Sequence, residues 1–155
     1  MEKFGIEIFE SINFRERYKS LSDKTRISEA HLEKVDKKMV TDIFESFGYT
    51  AKYFSKESFY RIEDTIECWS FNIRFSLKYG VVEIILGFKN NKNSEYYGGP
   101  SSVICEDIDY SRGIKTESLI KKPSFDNYRT LEKIFKEALS MYEDMKKKVL
   151  SNNMS

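Results

Sequence analysis

The chain has 155 residues, enough for one domain around one hydrophobic core, and 15% of them are aromatic, so ring area can fill that core. Its 26 basic and 25 acidic residues leave a net charge of +1, and no part of the chain carries a strong basic field, which disfavours a general nucleic-acid binder. Two prolines and seven glycines argue against a low-complexity chain, and no apolar run approaches the roughly 18 residues that a membrane span needs.

The N-terminus, MEKFGIEIFES, lacks the regions of a signal peptide. Residues 4–20 carry Phe4, Ile6, Ile8, Ile12 and Phe14 at strand parity, and Phe4, Ile8, Phe9 and Ile12 on one side of a helix; with Glu10 interrupting the alternation, the helix is preferred. The polar residues 20–27 read as a loop. The spacing then predicts a helix over residues 28–47, capped by Ser28, with Leu32, Val35, Met39, Ile43 and Phe47 as its apolar stripe and Gly48 closing it. Residues 49–54 and 58–62 read as two short strands joined by the polar turn SKES.

Residues 66–79 organise the rest. Trp69, Phe71, Ile73, Phe75, Leu77 and Tyr79 alternate with Cys68, Ser70, Asn72, Arg74, Ser76 and Lys78, the signature of a long strand with one apolar and one polar face. Such two-sidedness suits an antiparallel sheet covered on one face only. The pair Tyr79-Gly80 predicts a tight hairpin into VVEIILGF, where Val82, Ile84, Leu86 and Phe88 share a face. Asn, Gly and Pro mark residues 89–102 as a loop, residues 103–108 (VICEDI) read as another strand, and residues 109–124 are irregular. A last helix, capped by Ser124 or Asp126, carries Tyr128, Leu131, Phe135, Ala138, Tyr142, Met145 and Val149 at helical spacing, with Lys146, Lys147 and Lys148 at its end. The expected fold is α+β: a single domain, 1–155, in which an antiparallel sheet of four to five strands is packed on one face by N-terminal and C-terminal helices.

Few residues could carry catalysis. His31 is the only histidine, and nothing around it resembles a nucleophile elbow or a zinc ligand set. Cys68 and Cys105 lack CxxC spacing and are expected to be two reduced thiols. There is no phosphate-binding loop, and Gly98-Gly99-Pro100 reads as loop geometry without a following helix to hold an anion. On a strand, Asp107 and Asp109 would face the same way, opposite Glu106; these carboxylates could hold a divalent cation or form a solvated acidic surface. Glu63, Asp64 and Glu67 form a second acidic group, and the two together would suit a basic partner. The rings of the 66–79 strand lie on its apolar side, which weighs against a base-stacking platform. Tyr96 and Tyr97 sit in a polar loop, and tyrosine is a favoured interface anchor. The candidate partner-binding residues are therefore Glu95, Tyr96, Tyr97, Glu106, Asp107, Asp109 and Tyr110, with no catalytic residue, no metal ligand and no cofactor expected.

Through the SFNIRFSLKYGVVEIILGF hairpin, the SEYYGGP loop and the terminal helix, the chain resembles the immunity proteins that bacteria encode beside secreted or contact-delivered toxins. That resemblance implies a small cytoplasmic protein that binds a cognate protein toxin and blocks its active site or docking surface, with no membrane and no small-molecule substrate involved. A nucleic-acid-binding or regulatory domain using Arg74, Lys78 and the C-terminal lysines is the alternative, followed by a metal-dependent hydrolase built on Glu106, Asp107 and Asp109.

Overall fold

A computed structural model describes residues 1–25 and 34–152. Its five strands form one antiparallel meander in the order β1 (Lys52–Phe54), β2 (Phe59–Ile66), β3 (Trp69–Lys78), β4 (Val81–Asn90) and β5 (Tyr96–Pro100). Helices α1 (Lys3–Ser11), α2 (Phe14–Lys24) and α3 (Lys37–Ser46) precede the sheet, and α4 (Ser101–Ser111) and α5 (Tyr128–Asn152) follow it. The α+β architecture expected from the sequence is the one observed.

The alternation in β3 sets the layers. Trp69, Phe71, Ile73 and Phe75 are buried, while Ser70, Asn72, Arg74 and Ser76 on the other face are only half-buried. The helices meet the inner face through rings: Phe4 of α1 packs edge-on to Phe88 and Tyr97, and Phe44 of α3 stacks on Phe135 of α5 at 4.3 Å, with Phe75 against both. The Tyr79-Gly80 hairpin forms as expected; both residues have positive φ, 56° and 73°, the turn whose twist matches its strands.

Several boundaries differ from the sequence reading. The central strand begins at Trp69, because Ile66 ends β2 and Glu67, at φ 58°, turns the chain. The N-terminal segment is two helices, broken where Asn13 takes a left-handed conformation at φ 57°, and α2 runs on to Lys24 through most of the expected loop. The expected cap at Ser28 and His31 both lie outside the described residues; α3 starts at Lys37, where Asp36 accepts hydrogen bonds from the Lys38 and Met39 amides. That cap turns the helix so that Val40 and Phe44 are buried and Met39 is exposed, one position away from the expected stripe. The cap of α5 is Asn127, which accepts from the Thr130 amide at 2.8 Å, rather than Ser124 or Asp126.

The largest correction concerns residues 96–108. Residues 96–100, expected as loop, pair with β4 as its fifth strand, Gly98 opposite Gly87. A Cβ on Gly98 would run into the Leu86 carbonyl and the Gly87 Cα, so glycine here serves close strand approach rather than a turn. VICEDI, expected as a strand, lies inside α4. Ser101, Ile104, Cys105, Ile108 and Asp109 are its buried positions, spaced three and four apart, and that longer period outweighs the β-branched character of the short run. Beyond β5, Pro123–Phe125 covers the rest of the β4 edge: the Val82 amide donates to the Pro123 carbonyl and the Phe125 amide to that of Gly80.

Candidate interaction surfaces

The seven candidate partner-binding residues separate into surface and structural sets. Because residues 101–111 are helical, Glu106, Asp107 and Asp109 do not lie along a strand. Asp109 turns inward, 5% exposed, where Arg15 of α2 donates to it at 2.8 Å and Thr116 at 3.3 Å. It locks α4 to α2 and cannot meet a partner. Glu106 stays exposed, and Asp107 lies 3.2 Å from the amino group of Met1. Tyr110 is 84% exposed at the end of the same helix. Glu106, Asp107 and Tyr110 line a depression of about 680 Å³ with Ile114, Lys115 and Thr116.

On β5 strand parity divides the tyrosine pair. Tyr97 points inward, 8% exposed, stacked on Phe88, and its hydroxyl donates to Glu95 at 2.6 Å. That hydrogen bond, helped by burial, pushes the Tyr97 phenol up to about 12. It is a core residue, so the expectation that it anchors a partner is corrected, and Glu95, though exposed, is engaged by it. Tyr96 points outward, its ring over Gly87 and its hydroxyl hydrogen-bonded to Asn72. Burial raises the Tyr96 phenol, while Arg74 and Asn72 oppose that shift.

The second acidic group divides across β2, with Glu63 on the outer face and Asp64 on the inner. Asp64 faces the helices and is taken by Lys146, at 2.9 Å, and by the Tyr142 hydroxyl, at 2.8 Å. Lys146 also reaches Glu143 at 3.1 Å, so it is an interior cation and not part of an exposed C-terminal lysine cluster. Burial, then the hydrogen bond to Asp64, holds the Tyr142 phenol far above its ordinary range. These groups satisfy one another under the sheet. Among the described residues no three His, Cys, Asp or Glu side chains converge as a metal site would require. Cys68 and Cys105 are not joined by a disulfide; Cys105 is buried and its thiol is pushed up to about 12 by burial. A helix does follow Gly98-Gly99-Pro100, contrary to expectation, with Pro100 as its cap residue.

The outer face of the sheet was underestimated from β3 alone. Phe54 and Phe59, from β1 and β2, stand on it stacked at 4.8 Å, and Tyr96 joins them from β5. The Arg61 guanidinium lies 4.5 Å from the Phe54 ring centre and that of Arg74 5.3 Å from Phe59. Only strand pairing brings these residues together, so a reading confined to one strand could not find them.

No protein-family model matches this chain, and neither the curated proteins nor the solved structures yield a match.

No described helix is long and apolar enough to cross a membrane.

Proposed function

We propose that this chain is an immunity-type binding module that neutralises a cognate protein toxin by direct contact and catalyses no reaction itself. The observation that carries the reading is Tyr110: a large ring left 84% exposed on α4, beside the carboxylates of Glu106 and Asp107 and next to Ile114, itself 50% exposed. An aromatic anchor at a concave, partly apolar surface with an acidic margin is the composition of a protein-binding hot spot. Glu106, the exposed carboxylate of that margin, suits a basic group on the toxin. Groups that might have performed chemistry are committed elsewhere: Asp109 to Arg15, Asp64 to Lys146, and Cys105 to the core. In this reading the protein works in the cytoplasm, and needs no cofactor, small-molecule substrate or nucleic acid.

The test is co-expression with the C-terminal domain of the neighbouring reading frame in a bacterial host. The expected result is that this domain arrests growth, that the chain relieves the arrest, and that Tyr110→Ala weakens relief while leaving the chain folded. A non-toxic neighbour, or toxicity that the wild-type chain leaves unchanged, overturns the proposal.

A further inference from the structure

Arg74 on β3 stands directly opposite Arg61 on β2, and Arg61 directly opposite Lys52 on β1. Three cations thus form one row across the outer sheet face, at the strand spacing of about 4.8 Å. Like charges directly opposite one another destabilise a sheet. The row is held by ring contacts instead: Lys52 and Arg61 over Phe54, Arg74 over Phe59. Compensation by carboxylates is slight. Arg61 has Glu63 at 3.3 Å, itself 63% exposed, and Arg74 has no ion pair among the described residues. The row borders a depression of about 330 Å³, whose walls include Phe59 and Ile85 beside Arg74, Ser76 and Lys78. Three aligned cations held by rings, with one exposed carboxylate beside them, leave positive charge on this face for a partner of opposite charge to meet.

We propose that this face is a second binding surface, independent of the Tyr110 surface, and that it takes an acidic polypeptide segment whose carboxylates pair with Arg61 and Arg74. A guanidinium presents a planar fork that matches a carboxylate. The methylenes of a Glu side chain would lie on Ile85 and against the edge of the Phe59 ring. Phosphate offers the fork a similar geometry, but the ring faces that bases would need already meet each other and the two arginines. Glu57, Glu63 and Glu83 also border the face and would repel a continuous polyanion.

The experiment uses the full chain with two labelled probes, a short peptide carrying two glutamates among neutral residues and a single-stranded oligonucleotide, read by fluorescence anisotropy at low salt. Arginine Nε–Hε NMR signals report which guanidinium groups respond. The expected result is binding of the two-glutamate peptide that shifts the Arg61 and Arg74 signals and weakens about tenfold for each of Arg61→Gln and Arg74→Gln. It should be unchanged in Lys147→Gln/Lys148→Gln, where charge is lost elsewhere. Arg74→Lys keeps the charge but not the fork; it tests the site if Arg74→Gln unfolds, and partial loss of affinity is expected. Tighter binding of the oligonucleotide, equal losses in the Lys147/Lys148 control, or no binding of the two-glutamate peptide overturns the inference.

Discussion

Lys146 places its ammonium 2.9 Å from the Asp64 carboxylate, beneath the sheet and only 9% exposed. This pair ties α5 to β2. Glu143, at 3.1 Å, is the second carboxylate on the same ammonium, and it accepts a hydrogen bond from the Tyr49 hydroxyl at 2.6 Å. Removing Asp64 alone strips a buried cation of its nearer counter-charge but leaves Glu143. Asp64→Asn is therefore expected to cost about 2 kcal/mol in urea unfolding. An apolar replacement of both partners, Asp64→Leu with Lys146→Met, should recover part of that loss, because no buried cation then remains and Glu143 keeps the Tyr49 hydroxyl and contact with water. A double variant less stable than either single one would contradict the account.

The stack of Phe44 on Phe135, with Phe75 edge-on to Phe135, joins α3, α5 and β3 at one point of the core. All three rings are fully buried. Phe135→Ala should cost about 4 kcal/mol, combining lost transfer energy with the cavity left behind. Chemical denaturation checks this; a loss below about 1 kcal/mol would mean that the neighbouring rings collapse into the space.

Asp109 and Asp107 are two residues apart on one helix and should behave oppositely. Asp109 is the buried partner of Arg15, and its replacement by Asn should destabilise the fold by about 3 kcal/mol. Asp107→Asn should change stability by less than about 1 kcal/mol, since its ion pair with the Met1 amino group lies toward the surface. Thermal melts of the two variants discriminate directly between a structural and a surface carboxylate.

Alkaline pH should unfold the protein through its tyrosines. Burial pushes Tyr60 up to about 12 and drives Tyr18, Tyr49 and Tyr142 further. A phenol whose folded pKa lies above its unfolded value of about 10 favours the folded state fully below pH 10, and loses that contribution as the pH rises toward the folded value. Stability should therefore fall from about pH 10 upward. The tyrosinate absorbance of these phenols should develop together with loss of circular dichroism, and Tyr142→Phe should make the decline shallower. Ionisation of all tyrosines before any loss of structure would refute this.

Thiol reactivity reports the burial of Cys105. Cys105 is buried and its raised pKa keeps the thiolate scarce, so it should resist alkylation at pH 8 until the chain unfolds. Mass spectrometry of the briefly alkylated native protein should show Cys105 unmodified, and prior denaturation should expose it.

What the sequence by itself determined was periodic. Two-residue alternation in Trp69–Phe75 and Val82–Phe88 defined the covered face, because a strand sends neighbouring side chains to opposite sides whatever its surroundings. The three-and-four spacing from Leu131 to Val149 likewise announced α5 and its buried stripe. Elsewhere the local signal was divided. Residues 103–108 suit either a strand or one side of a helix, and the choice fell to the core contacts of Ile104 and Ile108. Gly98-Gly99-Pro100 has turn composition, yet Gly87 across the ladder made room for it as a strand.

The candidate sites were less legible, since a surface is made from residues distant in the chain. Tyr110 and Glu106 were identifiable as polar or amphipathic residues in and just beyond an expected strand, but the rotation of the helix that forms there decided that Asp109 would face Arg15 and Tyr110 would face water. The row of Lys52, Arg61 and Arg74 exists only once three strands have paired in register. Each of these residues is an ordinary surface cation in its own segment. Their alignment is a consequence of hydrogen-bonded pairing, which acts between strands and leaves no trace in the order of residues along any one of them.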